Sequence, residues 1–191
     1  MRRNSGLIFT VIAVFTVVPF FWAKTTYAVE SLGGKGSLAA SVSYQNLEYS
    51  NGTDYETDTY RVQASIGYFL SDHFEVNFAP MISIDDPDEG DDTIYYSYFG
   101  NLKWNLYQKG WTVIPFVGVQ AGVTGYDREG EDDSAFSYGW MGGAKFFLSE
   151  DVSLNLELNY LHTTFDADDG GDDLDLDVTN FFVGFSWYFG G

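Results

Sequence analysis

Cysteine is absent from the 191 residues. That excludes a disulfide framework, a thiolate metal site and a lipid-anchored cysteine. Basic residues are scarce: 9 Lys and Arg stand against 28 Asp and Glu, for a formal net charge of −19. A chain of that sign repels polyanions, which excludes nucleic acid as a partner. The deficit does not mean disorder, because 19% of the residues are aromatic, far more than an acidic unfolded chain carries. Histidine occurs only at 73 and 162, so resources for acid–base chemistry are thin. Beyond Val29 no apolar run approaches the roughly 20 residues that a membrane helix needs.

One long apolar run does exist, at the start. Arg2 and Arg3 precede residues 7–23 (LIFTVIAVFTVVPFFWA), and Thr26-Tyr27-Ala28 ends on a small residue. This is the layout of a secretory signal peptide. Pro19 interrupts the run and counts against the alternative, an uncleaved anchor helix. The expected division is a signal peptide over 1–28 and one folded domain over 29–191. Removal of Arg2, Arg3 and Lys24 leaves a mature net charge of −22.

What fills the remainder is alternation of period two, repeated eight times. Strands are expected over 37–49, 59–70, 74–84, 94–107, 112–124, 136–148 and 152–165, with an eighth ending in Phe181, Val183, Phe185, Trp187 and Phe189. Three connections are tight and short: Ser71-Asp72-His73, Gln108-Lys109-Gly110 and Ser149-Glu150-Asp151. Four are long and acidic, over 50–58, 85–93, 126–135 and 166–173. Short turns on one side and long loops on the other point to an all-β, eight-stranded antiparallel up-and-down transmembrane β-barrel.

A soluble barrel or sandwich would alternate too, so the second face decides. It carries Ser41, Ser43, Gln63, Asn77, Asn101, Gln120, Asn155 and Asn159. These are small and neutral, whereas a solvated sheet face normally carries many charges. A closed polar interior with lipid outside selects this composition. The inward charges are few: Arg61, Glu75, Lys103, Lys145 and Glu157. Glu75, Lys103 and Lys145 fall near the short turns, where opposite charges can pair as buried charges must. Interior ion pairs that fill and register the barrel are the expectation; conduction or catalysis is the alternative. Tyr68, Phe74, Trp104, Trp111, Phe146 and Trp187 fall toward the short turns, and Tyr44, Tyr49, Tyr60, Tyr96, Tyr138 and Tyr160 toward the acidic loops. Two aromatic girdles around an aliphatic band mark two membrane interfaces.

The chain resembles the small eight-stranded outer-membrane barrels of the OmpA/OmpX type over essentially all of residues 37–189. The stretches that carry the likeness are IPFVGVQAGV (114–123), YGWMGGAKFFLSEDVSLNLELNY (138–160) and the terminal VGFSWYFGG, with Trp187 and Phe189 in alternation. The trailing Gly190-Gly191 departs from a family that commonly ends on the aromatic. The resemblance implies a barrel-only, OmpX-like monomer in the outer membrane of a Gram-negative bacterium. It also implies lipids, lipopolysaccharide and the barrel-assembly machinery as partners.

Chemistry beyond that is sparsely encoded, and no cofactor is expected. The acidic loops read first as solvated, mutually repelling segments. The sharper reading is loosely bound Ca²⁺, which takes several carboxylate oxygens around Gly-permitted turns. DADDGGDD supplies the best candidates, Asp166, Asp168, Asp169, Asp172 and Asp173, without EF-hand spacing. In LHTTFD, the group His162, Thr164 and Asp166 resembles the His-x-Ser arrangement of outer-membrane lipid A deacylases, with Thr for Ser and without that motif's Asn and Gly. No catalytic residue is assigned on this basis. A non-enzymatic barrel with a structural or surface-interaction role is the first reading, and a lipid-modifying enzyme the alternative. Eight strands leave an interior that side chains fill, which excludes a wide pore.

Overall fold

The computed structural model describes residues 28–50, 54–87, 93–128, 131–165 and 174–190. Eight strands run in order: β1 (Gly36–Ser50), β2 (Asp54–Phe69), β3 (Phe74–Pro87), β4 (Thr93–Asn105), β5 (Val113–Arg128), β6 (Glu131–Ser149), β7 (Val152–Phe165) and β8 (Leu174–Phe189). Each pairs antiparallel with the next, and β8 pairs with β1 to close the barrel. The expected fold is therefore the observed one.

Register fixes the barrel's shape. Partners followed from Ile114 pass through Lys145, Asn155, Gly184, Ser41, Gln63, Met81 and Ser97, and return to β5 at Thr124, ten residues farther along. A stagger of that size over eight strands requires strands tilted by about 35–45° and leaves an interior that side chains can fill.

The two faces divide by chemistry. Val62, Ile66, Ile82, Val117, Val119, Trp140 and Phe181 point outward and are half exposed or more. Ser43, Gln63, Asn101, Gln120, Ser137 and Asn159 point inward and are buried. Lipid solvates the first set, while several of the second bond to polar groups on nearby strands, as Asn101 does to Asn77 Oδ1 and Ser137 to Thr124. Tyr68, Phe74, Trp104, Trp111 and Trp187 are exposed toward the short turns. Tyr44 and Tyr60 pack ring against ring toward the other end, with centroids 5.3 Å apart.

Two expectations need correcting. The acidic connections are largely strand: β1 runs to Ser50 and β2 starts at Asp54, β3 includes Asp85 and Asp86, and β5 and β6 carry Asp127 and residues 131–133. Above the membrane, a hairpin ladder satisfies the backbone whether or not its side chains are apolar. Acidity therefore marked solvation rather than the end of the strand. Two acidic residues are even register partners, as in Asp58↔Asp86. The connection between β4 and β5 is also longer than a tight turn. Leu106, Tyr107 and Thr112 leave the strands, because Tyr107 turns to another task.

Candidate functional site

That task is closing the mouth at the short-turn end. Residues 28–35 fold beneath the barrel. Val29 and Leu32 are buried to 1% and 0% exposure against Phe69, Ile114, Phe147 and Tyr188. The Tyr107 hydroxyl donates to the carbonyls of Val29 (3.2 Å) and Glu30 (2.6 Å). Val29 N–H donates to Trp111 O, and Gly110 N–H to Val29 O. Gly110 sits at φ 85°, a turn geometry that glycine reaches without strain. One carboxylate oxygen, Asp72 Oδ1, accepts from Leu32 N–H (2.6 Å), Gly33 N–H (2.8 Å) and Ser31 Oγ (2.8 Å). Burial pushes the Asp72 carboxyl up, but these hydrogen bonds and neighbouring His73 outweigh it and hold it below the usual aspartate value. Lys109–Glu30 (2.8 Å) and Lys35–Asp151 (3.4 Å) fasten the rim. Sequence reading missed this closure. The signal was a Val seven and a Leu four residues before strand β1, in a stretch too short and irregular to register as an element.

A layer of crossed ion pairs lies above the closure. Lys145 Nζ reaches Glu75 Oε2 at 2.5 Å, and Lys103 Nζ reaches Glu157 Oε2 at 2.6 Å. Glu75 and Lys103 are register partners on β3 and β4, yet each takes its closest partner three strands away. Ser37 Oγ donates to Glu75 (3.1 Å). Lys145 stands over the Phe69 ring at 4.6 Å, and Lys103 over Phe116 at 4.7 Å. The rings' π faces further compensate the desolvated ammonium groups. Arg61 does not join this layer. It lies farther out, donating to Gln45 Oε1 at 3.3 Å.

A cavity of about 40 Å³ adjoins the quartet, lined by Gln63, Ser65, Asn77, Asn155 and Ser186 among others. It has room for a few waters. Beyond it Met81, Phe99, Leu161 and Phe182 form an apolar band. A chain of hydroxyls, Ser97–Thr124–Ser137–Thr163, spans four strands at 2.6–3.1 Å.

On the outer surface, toward the acidic end, His162 Nδ1 lies 2.8 Å from Asp177 Oδ1, and Thr164 Oγ1 lies 3.3 Å from His162 Nε2. The Tyr160 hydroxyl donates to the same Asp177 oxygen at 2.7 Å. The described acid beside His162 is thus Asp177 on β8, brought close by the His162↔Asp177 register. Asp166 itself lies outside the described residues, as do Asp168, Asp169, Asp172 and Asp173. Among the described residues no group of three or more His, Asp or Glu side chains could hold a metal ion. His73, in the first short turn, meets Asn105 O at 3.1 Å and the edge of the Tyr107 ring, and so braces the closure.

A family model for the outer membrane protein beta-barrel domain matches residues 13–189. No curated protein matches the chain. Among solved structures, Neisserial surface protein A superposes with a TM-score of 0.59 at 16% identity, over 82% of this chain and 98% of its own. OprG from Pseudomonas aeruginosa gives 0.54 at 12% identity, over 85% and 100%. Ail, the attachment invasion locus protein of Yersinia pestis, in complex with the heparin analogue sucrose octasulfate, gives 0.51 at 15% identity, over 82% and 99%. Identities this low establish a shared fold.

Proposed function

This chain belongs to the outer membrane protein β-barrel family and resides in the outer membrane of a Gram-negative bacterium, and from that premise we propose that it is a non-conducting, non-enzymatic surface barrel whose role is carried by its acidic outer strand ends. The observation that supports this reading is the closed mouth. Val29 and Leu32 fill one end of the lumen, and the charges above them are consumed in pairs. An ion crossing the barrel would have to displace both layers. The folded protein in planar bilayers is expected to show no steady conductance; a stable open level would overturn the reading.

Away from the short-turn rim the remaining surface is read as lipid-facing or acidic. Outer-membrane lipids form the environment of the belt, and lipopolysaccharide is the proposed neighbour of the outer tyrosine row. The alternating aromatics Phe185, Trp187 and Phe189 are the proposed signal to the barrel-assembly machinery, and the protein is proposed to act as a monomer. Ail has been captured with a heparin analogue. A polyanion has the wrong sign for strand ends as acidic as these, so heparin is not expected to bind here.

A second reading, acyl-ester hydrolysis in the outer leaflet, draws on the Asp177–His162–Thr164 chain alone. An acid, an imidazole and a hydroxyl in sequence are what nucleophilic catalysis requires. However, Thr164 sits within the β7–β8 ladder rather than on a loop or helix terminus where several N–H groups converge, and developing oxyanion charge needs such donors. The lipid A mass spectrum is therefore expected to be the same with and without the protein. An acyl chain lost with the wild type and kept with His162→Ala would establish the hydrolase.

A further inference from the structure

Arg61 is the inward charge that neither the closure nor the ion-pair layer uses. It is 9% exposed, and among the described residues its side chain makes one hydrogen bond, to Gln45 Oε1. A guanidinium carries five N–H donors. Two further polar groups stand beside it on β3. Ser83 is its register partner, and Asp85 lies two residues nearer the outer end on the same inner face. Ser83 Oγ and Asp85 Oδ1 are both buried, and neither has a hydrogen-bond partner among the described residues. Asp85 is the acid whose charge acts most on Arg61. Yet the two do not close into a bridge, as the charges of the deeper layer do at 2.5 and 2.6 Å.

Groups buried in this way call for partners, and their chemistry limits what can satisfy them together. An anion suits Arg61 but is repelled by Asp85. A cation suits Asp85 but is repelled by Arg61. A hydroxyl serves both, accepting from a guanidinium and donating to a carboxylate. A second hydroxyl beside the first reaches Ser83 as well. The surroundings fit the remainder of such a ligand. Tyr95 is the register partner of Ser83. Its ring centroid lies 6.2 Å from that of Tyr126, which lies 5.7 Å from that of Phe165. These inward rings set apolar area next to a few polar groups, the mix that small-molecule sites show. Met81 and Phe99, deeper on the same two strands, belong to the apolar band beneath.

From this unbridged Arg61–Asp85 pair, the orphan Ser83 hydroxyl and the adjoining rings, we propose that the outer end of the lumen binds the vicinal hydroxyls of a neutral saccharide. Arg61, Asp85 and Ser83 hold the diol, and Tyr95 and Tyr126 lie against the C–H face of the sugar ring. The site is on the outer side of the closed mouth, so occupancy requires no passage through the barrel. This adds a ligand class to the surface role, and its test is independent of the conductance measurement.

The probes are the methyl α-pyranosides of glucose, mannose and galactose. The comparison is permethylated methyl α-glucoside, which keeps the ring and its C–H face but has no hydroxyl to donate. Each is titrated to high millimolar concentration into the folded barrel in micelles. The Arg61 Nε–H resonance and the Ser83 and Tyr95 amides are followed by NMR. At least one pyranoside is expected to shift all three saturably. The permethylated sugar should bind about tenfold more weakly or worse, because hydrogen bonds to charged groups are lost. Asp85→Asn and Ser83→Ala, each checked for folding by heat-modifiable gel migration, should weaken binding of the pyranoside. No saturable shift with any pyranoside, equal binding of the permethylated sugar, or binding unaltered in both variants would overturn the proposal. A response to glycine as strong as to any sugar would assign the pair to a zwitterion and overturn it too. Lipopolysaccharide added as a competitor separates the two sources of the diol. Displacement of the bound pyranoside assigns the ligand to outer-leaflet sugar, and undiminished binding assigns it to a free glycan; both outcomes support the diol site.

Discussion

Lys145 on β6 and Glu75 on β3 meet across the lumen at 2.5 Å, with side chains only 3% and 6% exposed. Each is the other's main compensation for lost water. Removing one partner of such a pair typically costs about 3–5 kcal/mol, while replacing both by apolar groups is far milder. Lys145→Met should lower stability by that order in urea unfolding of the folded barrel. Adding Glu75→Leu should restore most of the loss. Additive losses would mean the two residues act separately.

Asp72 gives the closure a pH dependence. Its folded carboxyl titrates below the ordinary 3.8, so the stabilisation is fully present above that value. It is lost as pH falls through the depressed folded value. Amide exchange at Leu32 and Gly33 should accelerate across that acidic window, and Asp72→Asn should remove the dependence. Exchange that stays slow below the window would place the anchor elsewhere, in the Tyr107 hydrogen bonds.

Gly139 and Gly100 make a matched pair on the barrel wall. A Cβ at 139 would overlap the Tyr160 carbonyl oxygen, whereas at 100 the nearest atom is 3.9 Å away. Gly139→Ala should cost about 1–3 kcal/mol through overpacking, and Gly100→Ala should be near neutral. Equal unfolding midpoints for the two variants would count against so close an approach of β6 and β7.

Calcium is the proposed ligand of segment 166–173. If its aspartates bind Ca²⁺, millimolar CaCl₂ should raise the unfolding temperature more than NaCl of equal ionic strength, because a ligand specific to the folded form stabilises it. Neutralising Asp168, Asp169, Asp172 and Asp173 to Asn should remove the difference. Equal effects of the two salts in the wild type would leave screening as the whole explanation.

Period-two alternation, the polar inner face and the alternation of short and acidic connections determined the barrel, its strand number and its membrane setting. Each is a local property of side chains along one strand, and neighbouring residues suffice to state it. The sequence also picked out Glu75, Lys103, Lys145 and Glu157 as inward charges, because charge on an inner face is legible residue by residue. Which of them meet was decided by tertiary structure, since only barrel closure brings Glu75 of β3 to Lys145 of β6 and Lys103 of β4 to Glu157 of β7, each three strands away. The same holds for Asp177 beside His162, placed there by interstrand register. The closure by Val29 and Leu32 was illegible because it follows no period; only the barrel's rim gives those two residues anything to pack against. Pairing between the first and last strands depends on how tilt and stagger close the cylinder, a property of the whole sheet that no single strand encodes.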